Sequence, residues 1–426
     1  MLLIFKWIFR TIKNSFGNII EWYDFSLYGY FATIIAAQFF PSHDPWISLL
    51  AAFAAFGVGF IARPFGSFLF GYLGDKVGRH YAMNISITLM AISTVAMAFL
   101  PTWDHIGVLA PILLVCIRLL QGVSAGGQFG NLMTITAEDE TLKYRGFSLA
   151  IAYSTSVIGF LIAAGVSYCV FSFLPKDAQA WAWRIPFVFG FLLLLIHIFL
   201  REDDKGEVNT APREKTPTQI LFSYYRWHLT LILILSVSAS TLYYLVVTYL
   251  VTYMELELGL SLSSALGVST ISLVGLCITT PIFGFLSDII GRKRFHIIAY
   301  IVMSLSIIPL VLLLQTDNLS LITLGVLLIA IATAITQGAS TPYYTEIFPP
   351  QVRAIGCSIG FGFGAAISGF APMLATYIMG VTTSTVGLCT LMIVTSLIGL
   401  IVAIIIPNHQ AEIRRVNSII NAEETE

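Results

Sequence analysis

Two carboxylates interrupt the first apolar stretch of the chain, which covers residues 13–40. Glu21 and Asp24 are three residues apart, which places both near one face of a helix, and Asn18 and Tyr28 extend the same polar stripe. A carboxylate within lipid is unfavourable and marks an ion or proton path by default. The stripe therefore predicts a proton or solute site, although Glu21 alone could instead pair with a base at the membrane surface.

Two arginines lie inside later apolar segments, Arg63 in the sequence ARPFG and Arg118 in RLLQGVSAGGQ. An arginine is always charged and needs a partner when buried. The buried acids of the same half are Glu21 and Asp24, and we predict in particular that Asp24 pairs with Arg118. The alternative is a neutral quartet with a purely structural role.

Polar and aromatic side chains complete the predicted site. Gln121 and Gln128 follow Arg118 at helical spacing, so this face should line a wet cavity and contact solute. Aromatic faces can hold a cationic group, which makes Tyr28, Tyr243 and Tyr244 candidate solute contacts. Two further tyrosines, 249 and 253, fall near the end of their segment, where tyrosines commonly form an interfacial belt.

The composition requires a lipid environment for these groups. Of 426 residues, 57% are hydrophobic and 11% are charged, against about 25% charged in a soluble domain, and the mean hydropathy is +0.86. Since a spanning helix needs ~20 apolar residues, we expect an all-α membrane protein with twelve transmembrane helices. The apolar runs cover residues 13–40, 46–73, 81–100, 107–135, 145–172, 184–200, 227–254, 262–287, 295–314, 319–345, 353–380 and 384–407.

These segments form two groups of six. We predict an N-terminal six-helix bundle at 1–200, a polar linker at 201–226, a C-terminal bundle at 227–407 and a short tail at 408–426. Lys and Arg are retained on the cytoplasmic side of short loops, and 18 of the 22 fall on one face. Both termini, the linker and the tail are therefore expected in the cytoplasm.

An internal repeat relates the two groups. The sequence GYLGDKVGR at 71–79 recurs as GFLSDIIGR at 284–292, and duplicated six-helix units are the build of one large class of transporters. The repeat predicts contacts that form in one conformation and break in another, because its acid can face a helix N-terminus or Arg145. The residues assigned to this conformational gate are Gly71, Asp75, Arg79, Arg145, Gly284, Asp288 and Arg292.

The chain resembles the major facilitator superfamily, within it the metabolite:proton symporter family, and most of all the proline/betaine transporter branch. The resemblance is carried by GNIIEWYDFSLYGY, RPFGSFLFGYLGD, RLLQGVSAGG, WAWRIPF and the TLYY and TY of the seventh segment. It implies a fold of two six-helix bundles, transport of small zwitterions or organic acids, and proton and substrate handling by Glu21, Asp24 and Arg118. The chain departs from relatives at Gln128, where glutamate is usual, and at Tyr153, where several have aspartate.

We therefore expect a monomeric secondary transporter of the bacterial inner membrane that takes up a small zwitterion or organic acid by proton symport. The alternatives are a di- or tricarboxylate symporter, an uncoupled facilitator and a solute receptor. No nucleophile and base, cofactor motif or metal-ligand spacing is present in the sequence, and the five cysteines are isolated. The net charge of −1 gives no case for a nucleic-acid partner.

Overall fold

The computed structural model of the chain describes residues 7–8, 11–12, 15–77, 79–126, 128–139, 143–175, 178–200, 217–382 and 384–407. Within these ranges only the backbone is described at 71, 74–77, 79–80, 83, 131, 194, 197–200 and 217. Most of the predicted linker, the predicted tail and the side chains of Gly71, Asp75 and Arg79 lie outside the described part. The last linker residues contain a short helix, Pro217–Tyr224.

The described chain is helical, and its long segments match the twelve that the apolar runs predict. The segments are α1 (Phe16–Tyr30 and Ala32–Phe39), α2 (Pro45–Ile61 and Arg63–Val77), α3 (Arg79–Ala98), α4 (Leu109–Ser124 and Gln128–Glu138), α5 (Arg145–Phe173), α6 (Arg184–Leu200), α7 (Arg226–Tyr244, Leu245–Tyr249 and Leu250–Leu256), α8 (Leu262–Ile290), α9 (Arg292–Leu314), α10 (Leu319–Glu346), α11 (Arg353–Ser368 and Ala371–Thr382) and α12 (Thr385–Ile405). Two further short helices are Trp103–Ile106 and Gln179–Ala182. The predicted all-α, twelve-helix fold is confirmed.

Nine segments of the described chain are long and apolar enough to cross a membrane. The other three segments are too short, as continuous apolar helices, to be counted. A break at Phe31 divides α1, the apolar part of α3 covers only Asn84–Ala98, and α6 has 17 residues. An even number of segments returns the end of α12 to the side where α1 begins. We call this side the termini face and the opposite side the far face.

Several segments are interrupted inside the membrane. In α2 the break falls at Ala62, directly before Arg63 and Pro64, because proline has no N–H to continue the preceding helix. In α7 one π-helical turn, Leu245–Tyr249, separates two α-helical parts. Discontinuous helices are typical of transporters that bind solute near the midplane. The interruption in α2 places Arg63 at the start of a helix rather than in its middle.

The two bundles meet along α5 and α8 and along α2 and α11. A Cβ atom on Gly146 would contact the backbone of Gly284, and one on Gly284 would contact that of Gly146, so α5 and α8 touch backbone to backbone. Toward the far face, Gly57 of α2 faces the ring of Phe370 between the parts of α11. Small residues permit such close helix approach in lipid. The two bundles are therefore closely packed on both sides of the membrane centre.

Close packing of α2 on α4 fixes the position of the buried arginines. At Gly122 an added Cβ atom would meet the carbonyl oxygen of Gly59, and no rotation of a side chain could relieve that contact because the atom is backbone. The two helices carry Arg63 and Arg118 respectively. Their separation, and with it the spacing of the two guanidinium groups, depends on this glycine.

We expect Gly122→Ala to lower the free energy of unfolding by about 1–3 kcal/mol, the usual range for overpacking. Gly165→Ala in α5 is the matched control, because a Cβ atom there would meet nothing within 4 Å. Thermal unfolding of the two purified variants in detergent measures the difference. Equal midpoints for both variants would show that α2 and α4 can separate without loss.

Candidate functional site

Two ion pairs occupy the interior of the N-terminal bundle. Arg63 Nη1 lies 2.9 Å from Glu21 Oε1, and Arg118 Nη1 lies 3.7 Å from Asp24 Oδ2. All four side chains are more than nine-tenths buried. Because the acids share one face of α1 but reach different helices, α1 is tied to α2 by one pair and to α4 by the other. The structure thus brings together the four charged residues that the sequence singled out.

Gln121 joins the second pair into a three-residue network. Its amide nitrogen donates to Asp24 Oδ1 at 2.7 Å, and its amide oxygen accepts from Arg118 Nη1 at 2.8 Å. The glutamine therefore holds Asp24 and Arg118 while their direct contact stays longer than that of Glu21 and Arg63. The pair at Asp24 is the looser of the two, and its geometry is set by a neutral side chain.

Aromatic rings enclose both guanidinium groups. The Cζ atom of Arg63 lies 4.4 Å from the ring centres of Phe25 and Phe60 and 4.9 Å from that of Trp22. The Cζ atom of Arg118 lies 4.5 Å from the ring of Phe25 and 4.6 Å from that of Tyr28. Rings at this distance attract a cation through their negative faces. They also exclude water, which strengthens the ion pairs.

Hydrogen-bonding capacity remains unused within the cluster. Nε and Nη2 of both arginines make no hydrogen bond with any residue that the structure describes, and the same holds for Asp24 Oδ2. Arg63 also borders a cavity of about 100 Å³ between the bundles, together with Phe129 of α4 and Phe361 of α11. A carboxylate entering between the bundles would therefore meet Arg63 before Arg118.

Gln128 lies apart from this cluster. Its amide donates to Ser86 Oγ of α3 at 2.7 Å and to the Ser124 carbonyl at 3.4 Å, so it is directed into the N-terminal bundle. Helical spacing predicted that Gln128 would share the face of Arg118. The helix is interrupted between Ser124 and Gln128, and the interruption changes the direction of the side chain.

The predicted tyrosines divide into two sets. Tyr28 donates its hydroxyl to the Ala52 carbonyl at 3.0 Å within the N-terminal bundle. Tyr243 and Tyr244 of α7 pack on Trp22 across the junction of the bundles, with ring centres 6.5 and 6.1 Å from it. These two, with Trp22, present aromatic faces next to Arg63.

The expectation of an interfacial belt at the end of α7 is wrong. Tyr249 and Tyr253 are both buried. The ring of Tyr249 lies 6.0 Å from that of Phe53 in α2, and the Tyr253 hydroxyl is 3.1 Å from Thr385 Oγ1 of α12. Both side chains are turned into the protein rather than toward the membrane surface.

Contacts between the bundles cover the cluster from both faces. Toward the termini face, the rings of Phe129 and Phe361 stack with centres 4.0 Å apart. Toward the far face, Thr33 of α1 donates to Glu255 of α7 at 2.9 Å. The cluster lies between these layers, which is the arrangement of an occluded transporter.

The second copy of the repeated motif forms a latch at the termini face. Asp288 of α8 accepts hydrogen bonds from the N–H groups of Gly146 and Phe147, the first turn of α5, at 2.9 and 3.0 Å. Arg292 pairs with Asp288 at 2.7 Å and with Glu346 of α10 at 2.9 Å. A carboxylate at a helix N-terminus satisfies free N–H groups and the helix dipole. This latch, Asp288 with Arg292 and Glu346, holds the two bundles together.

In the first copy of the motif the structure describes only the backbone of Gly71, Asp75 and Arg79, and Arg145 is exposed at the start of α5. A further ion pair crosses between the bundles at this face, with Arg353 Nη1 3.6 Å from Glu138 Oε1.

Several residues of this region escaped the sequence analysis. Phe129 and Phe361 gave no signal, because isolated phenylalanines are abundant among 31 in the chain. Tyr344 of α10 is fully buried near the junction, with its ring 5.1 Å from that of Phe361. An alignment of the two halves by helix, rather than by motif, would have drawn attention to α10 as the counterpart of α4.

Two six-helix units around a polar centre define a membrane transporter of the alternating-access type. Comparison with known proteins agrees. The model of the Major Facilitator Superfamily matches residues 15–360 and 268–421, and the chain belongs to this family. It is a multi-pass inner-membrane transporter and not an enzyme.

The relatives found are transporters throughout. The chain is 31% identical over 381 residues to the glycine betaine/proline/ectoine/pipecolic acid transporter OusA of Dickeya dadantii, covering 86% of this chain and 76% of that protein. It is 32% identical over 378 residues to the citrate-proton symporter of Klebsiella pneumoniae, covering 87% and 85%. A crystal structure of a D-xylose-proton symporter superimposes with a TM-score of 0.72 at 17% identity, covering 94% and 98%. The predicted resemblance to proline/betaine transporters is confirmed.

We expect Asp288→Ala to open the termini face more often, because the N–H groups of α5 lose their acceptor. Cys357 of α11 is free and fully buried at this face, so its alkylation by a permeant maleimide reports the opening. Loss of a helix cap of about 1 kcal/mol predicts alkylation roughly fivefold faster. Asp317→Ala, in an exposed turn, should leave the rate unchanged. An unchanged rate in Asp288→Ala would mean that the latch does not hold this face.

Proposed function

We propose that the chain is a proton-coupled symporter that takes up a small zwitterion with a carboxylate, of the proline or betaine type. The single observation that carries the proposal is the pair of one-to-one acid and arginine contacts buried in the N-terminal bundle, Glu21 with Arg63 and Asp24 with Arg118. Charged groups inside a membrane protein are energetically unfavourable and mark ion or substrate paths. The names of the relatives support solutes of this class.

Coupling is assigned to Asp24. Its Oδ2 atom lies 3.7 Å from Arg118 Nη1 and accepts no hydrogen bond from any described residue, so a proton has an acceptor that is not fully engaged. Protonation removes the attraction to Arg118, which changes how the bundle holds α1. By thermodynamic linkage, a ligand that stabilises the protein with Asp24 protonated also raises the proton affinity of Asp24. Substrate bound beside the cluster would have this effect by competing for an arginine.

The substrate carboxylate is assigned first to Arg63. This arginine borders the inter-bundle cavity and has two unpaired nitrogens, whereas Arg118 is fully enclosed. Arginine nitrogens bind carboxylates in a bidentate manner with good geometry. A carboxylate at Arg63 competes with Glu21. Through α1 it affects Asp24, three residues from Glu21, and with Asp24 its partner Arg118.

The cationic end of the substrate is assigned to the aromatic faces of Trp22, Tyr243 and Tyr244. These rings pack on one another in edge-to-face and tilted arrangements at the bundle junction. They lie next to the arginine that would hold the carboxylate. A quaternary or secondary ammonium group on such faces is stabilised by about 0.5–2 kcal/mol. The arrangement suits a solute whose two charges are a few bonds apart.

Other functions have less support. A di- or tricarboxylate would need both arginines free to bind it, and each already has an acid partner. An uncoupled facilitator or a solute receptor does not require a buried acid that can bind and release a proton. Proton dependence of accumulation separates these classes experimentally.

The orientation and the oligomeric state are part of the same proposal. We assign the termini face to the cytoplasm, because 18 of the 22 Lys and Arg lie on that side. The latch at Asp288 then closes the cytoplasmic face. Since the cluster is enclosed within a single chain, a monomer suffices for transport.

Asp24→Asn should abolish proton-driven accumulation while leaving exchange of substrate across the membrane, because asparagine keeps the hydrogen bond from Gln121 but cannot carry the proton. Accumulation of labelled proline or glycine betaine in proteoliposomes, with and without a protonophore, measures the first effect, and counterflow measures the second. Asp317→Asn serves as the control. If Asp24→Asn accumulates solute like the parent, the coupling site lies elsewhere and the facilitator hypothesis gains.

Tyr244→Ala should raise the KM for a quaternary ammonium solute roughly 2- to 30-fold, which corresponds to the loss of one cation–π contact of about 0.5–2 kcal/mol. Tyr244→Phe keeps the ring and should retain most of the affinity. The comparison requires uptake of labelled glycine betaine by both variants over a range of concentrations. Equal KM values for Tyr244→Ala and the parent would remove the argument for a zwitterion and favour an organic acid.

A further inference from the structure

Four tyrosines from three helices meet where the bundles join. They are Tyr153 of α5, Tyr243 and Tyr244 of α7, and Tyr344 of α10. The ring of Tyr243 lies 5.8 Å from those of both Tyr153 and Tyr244. Tyr344 is connected to Tyr153 through the rings of Phe361 and Phe129, with successive ring centres 5.1, 4.0 and 6.0 Å apart. All four are at least nine-tenths buried. We call this group the tyrosine cluster.

Two hydroxyls of the tyrosine cluster have no partner. Those of Tyr243 and Tyr344 make no hydrogen bond to any residue in the described ranges, although both are enclosed by protein. The hydroxyls of Tyr23 and Tyr28, equally buried, donate to backbone carbonyls at 2.6 and 3.0 Å. An unpaired buried hydroxyl is destabilising, so an acceptor from outside the protein that reached these two hydroxyls would gain their hydrogen bonds.

The surroundings define the chemistry of that acceptor. The ring of Tyr244 lies 6.1 Å from that of Trp22 and 5.1 Å from that of Phe60. Both of these rings also enclose Arg63, whose Nε and Nη2 make no hydrogen bond within the described part of the chain. Phe361, which borders the same cavity as Arg63, packs on Tyr344. Unpaired donors of the described residues thus occur on both sides of the bundle junction, guanidinium nitrogens on α2 and phenol hydroxyls on α7 and α10. An acceptor with several lone pairs could bind donors from both bundles.

We propose that the hydroxyls of Tyr243 and Tyr344 bind the carboxylate of the transported solute from the C-terminal bundle, while Arg63 binds it from the N-terminal bundle. This inference rests on the proposed transport function and adds Tyr344, on a helix to which no solute contact was assigned. A carboxylate has two oxygens and about four lone-pair sites. It can accept from an arginine and from two phenols at once.

A group that touches both bundles also explains how binding favours closure. A ligand shifts a conformational equilibrium only by the difference in its contacts between the states. With Arg63 alone the solute would bind equally well to an open transporter, whose N-terminal bundle is the same. With Tyr243 and Tyr344 added, the full set of contacts exists only when the bundles are together.

The alternative is that the tyrosine cluster is structural and its hydroxyls play no part in binding. The two hypotheses differ in the effect of Tyr344→Phe, which removes one oxygen and keeps the ring. A binding hydroxyl predicts that the thermal midpoint without ligand is retained or raised, because an unpaired polar atom is removed. A hydroxyl that plays no part in binding predicts an unchanged KM.

The test measures uptake of labelled proline and of labelled glycine betaine. Each is measured alone and with the corresponding carboxamide as competitor. Tyr344→Phe should raise KM roughly tenfold for whichever carboxylate the parent transports, since hydrogen bonds to a charged group are the stronger class. It should leave inhibition by the carboxamide nearly unchanged. The rise of the thermal midpoint on adding solute should shrink, and Tyr243→Phe should behave in the same way.

Tyr253→Phe is the matched control, because its hydroxyl has a partner in Thr385 and lies toward the far face. It should lower the midpoint without ligand and keep KM. If the parent transports a carboxylate solute and Tyr344→Phe does so with the same KM, this inference is overturned and the proposed function stands. Equal loss for the carboxylate and the carboxamide would also overturn it, because the charge would not be the bound feature. A parent that takes up neither solute overturns the proposed function and this inference with it.

Discussion

A charge buried in lipid must be neutralised nearby, and this constraint orders the N-terminal bundle. Two arginines and two acids lie within one group of helices, and aromatic rings replace the water that would otherwise surround them. Removing one member of a buried pair leaves an uncompensated charge, which is worse than having neither. Helices α1, α2 and α4 are therefore held in one arrangement by electrostatics.

The two halves related by the sequence duplication share the helical fold but differ in their buried polar groups. The second motif copy forms a helix cap and ion pairs at Asp288 and Arg292. The interior of the C-terminal bundle instead carries neutral polar contacts, such as Gln337 to the Ala239 carbonyl. One half thus supplies fixed charges, and the other supplies hydroxyls and aromatic faces. Specialisation of this kind allows the charged half to remain rigid.

Sequence reasoning succeeded where one physical rule dominates. Apolar run length predicted the twelve segments, because lipid tolerates little else, and the isolation of Glu21, Asp24, Arg63 and Arg118 in apolar surroundings predicted that they would meet. It failed where the direction of a side chain depends on an interruption in a helix. Gln128 follows the break in α4 and turns toward Ser86. Tyr344 is one of 18 tyrosines, and only three-dimensional packing distinguishes it from the others.

The π-helical turn of α7 has a geometric consequence for its tyrosines. Residues five apart point about 140° away from each other on an α-helix, whereas they share a face across a π turn of i→i+5 bonds. Tyr244 and Tyr249 span the turn at this spacing, and their rings pack at a tilt on those of Phe60 and Phe53, which lie two turns apart on α2. The π turn thus places two aromatic contacts between the bundles in one line along α2. Helix α7 consequently carries a register shift in its own backbone, and both contacts with α2 depend on it.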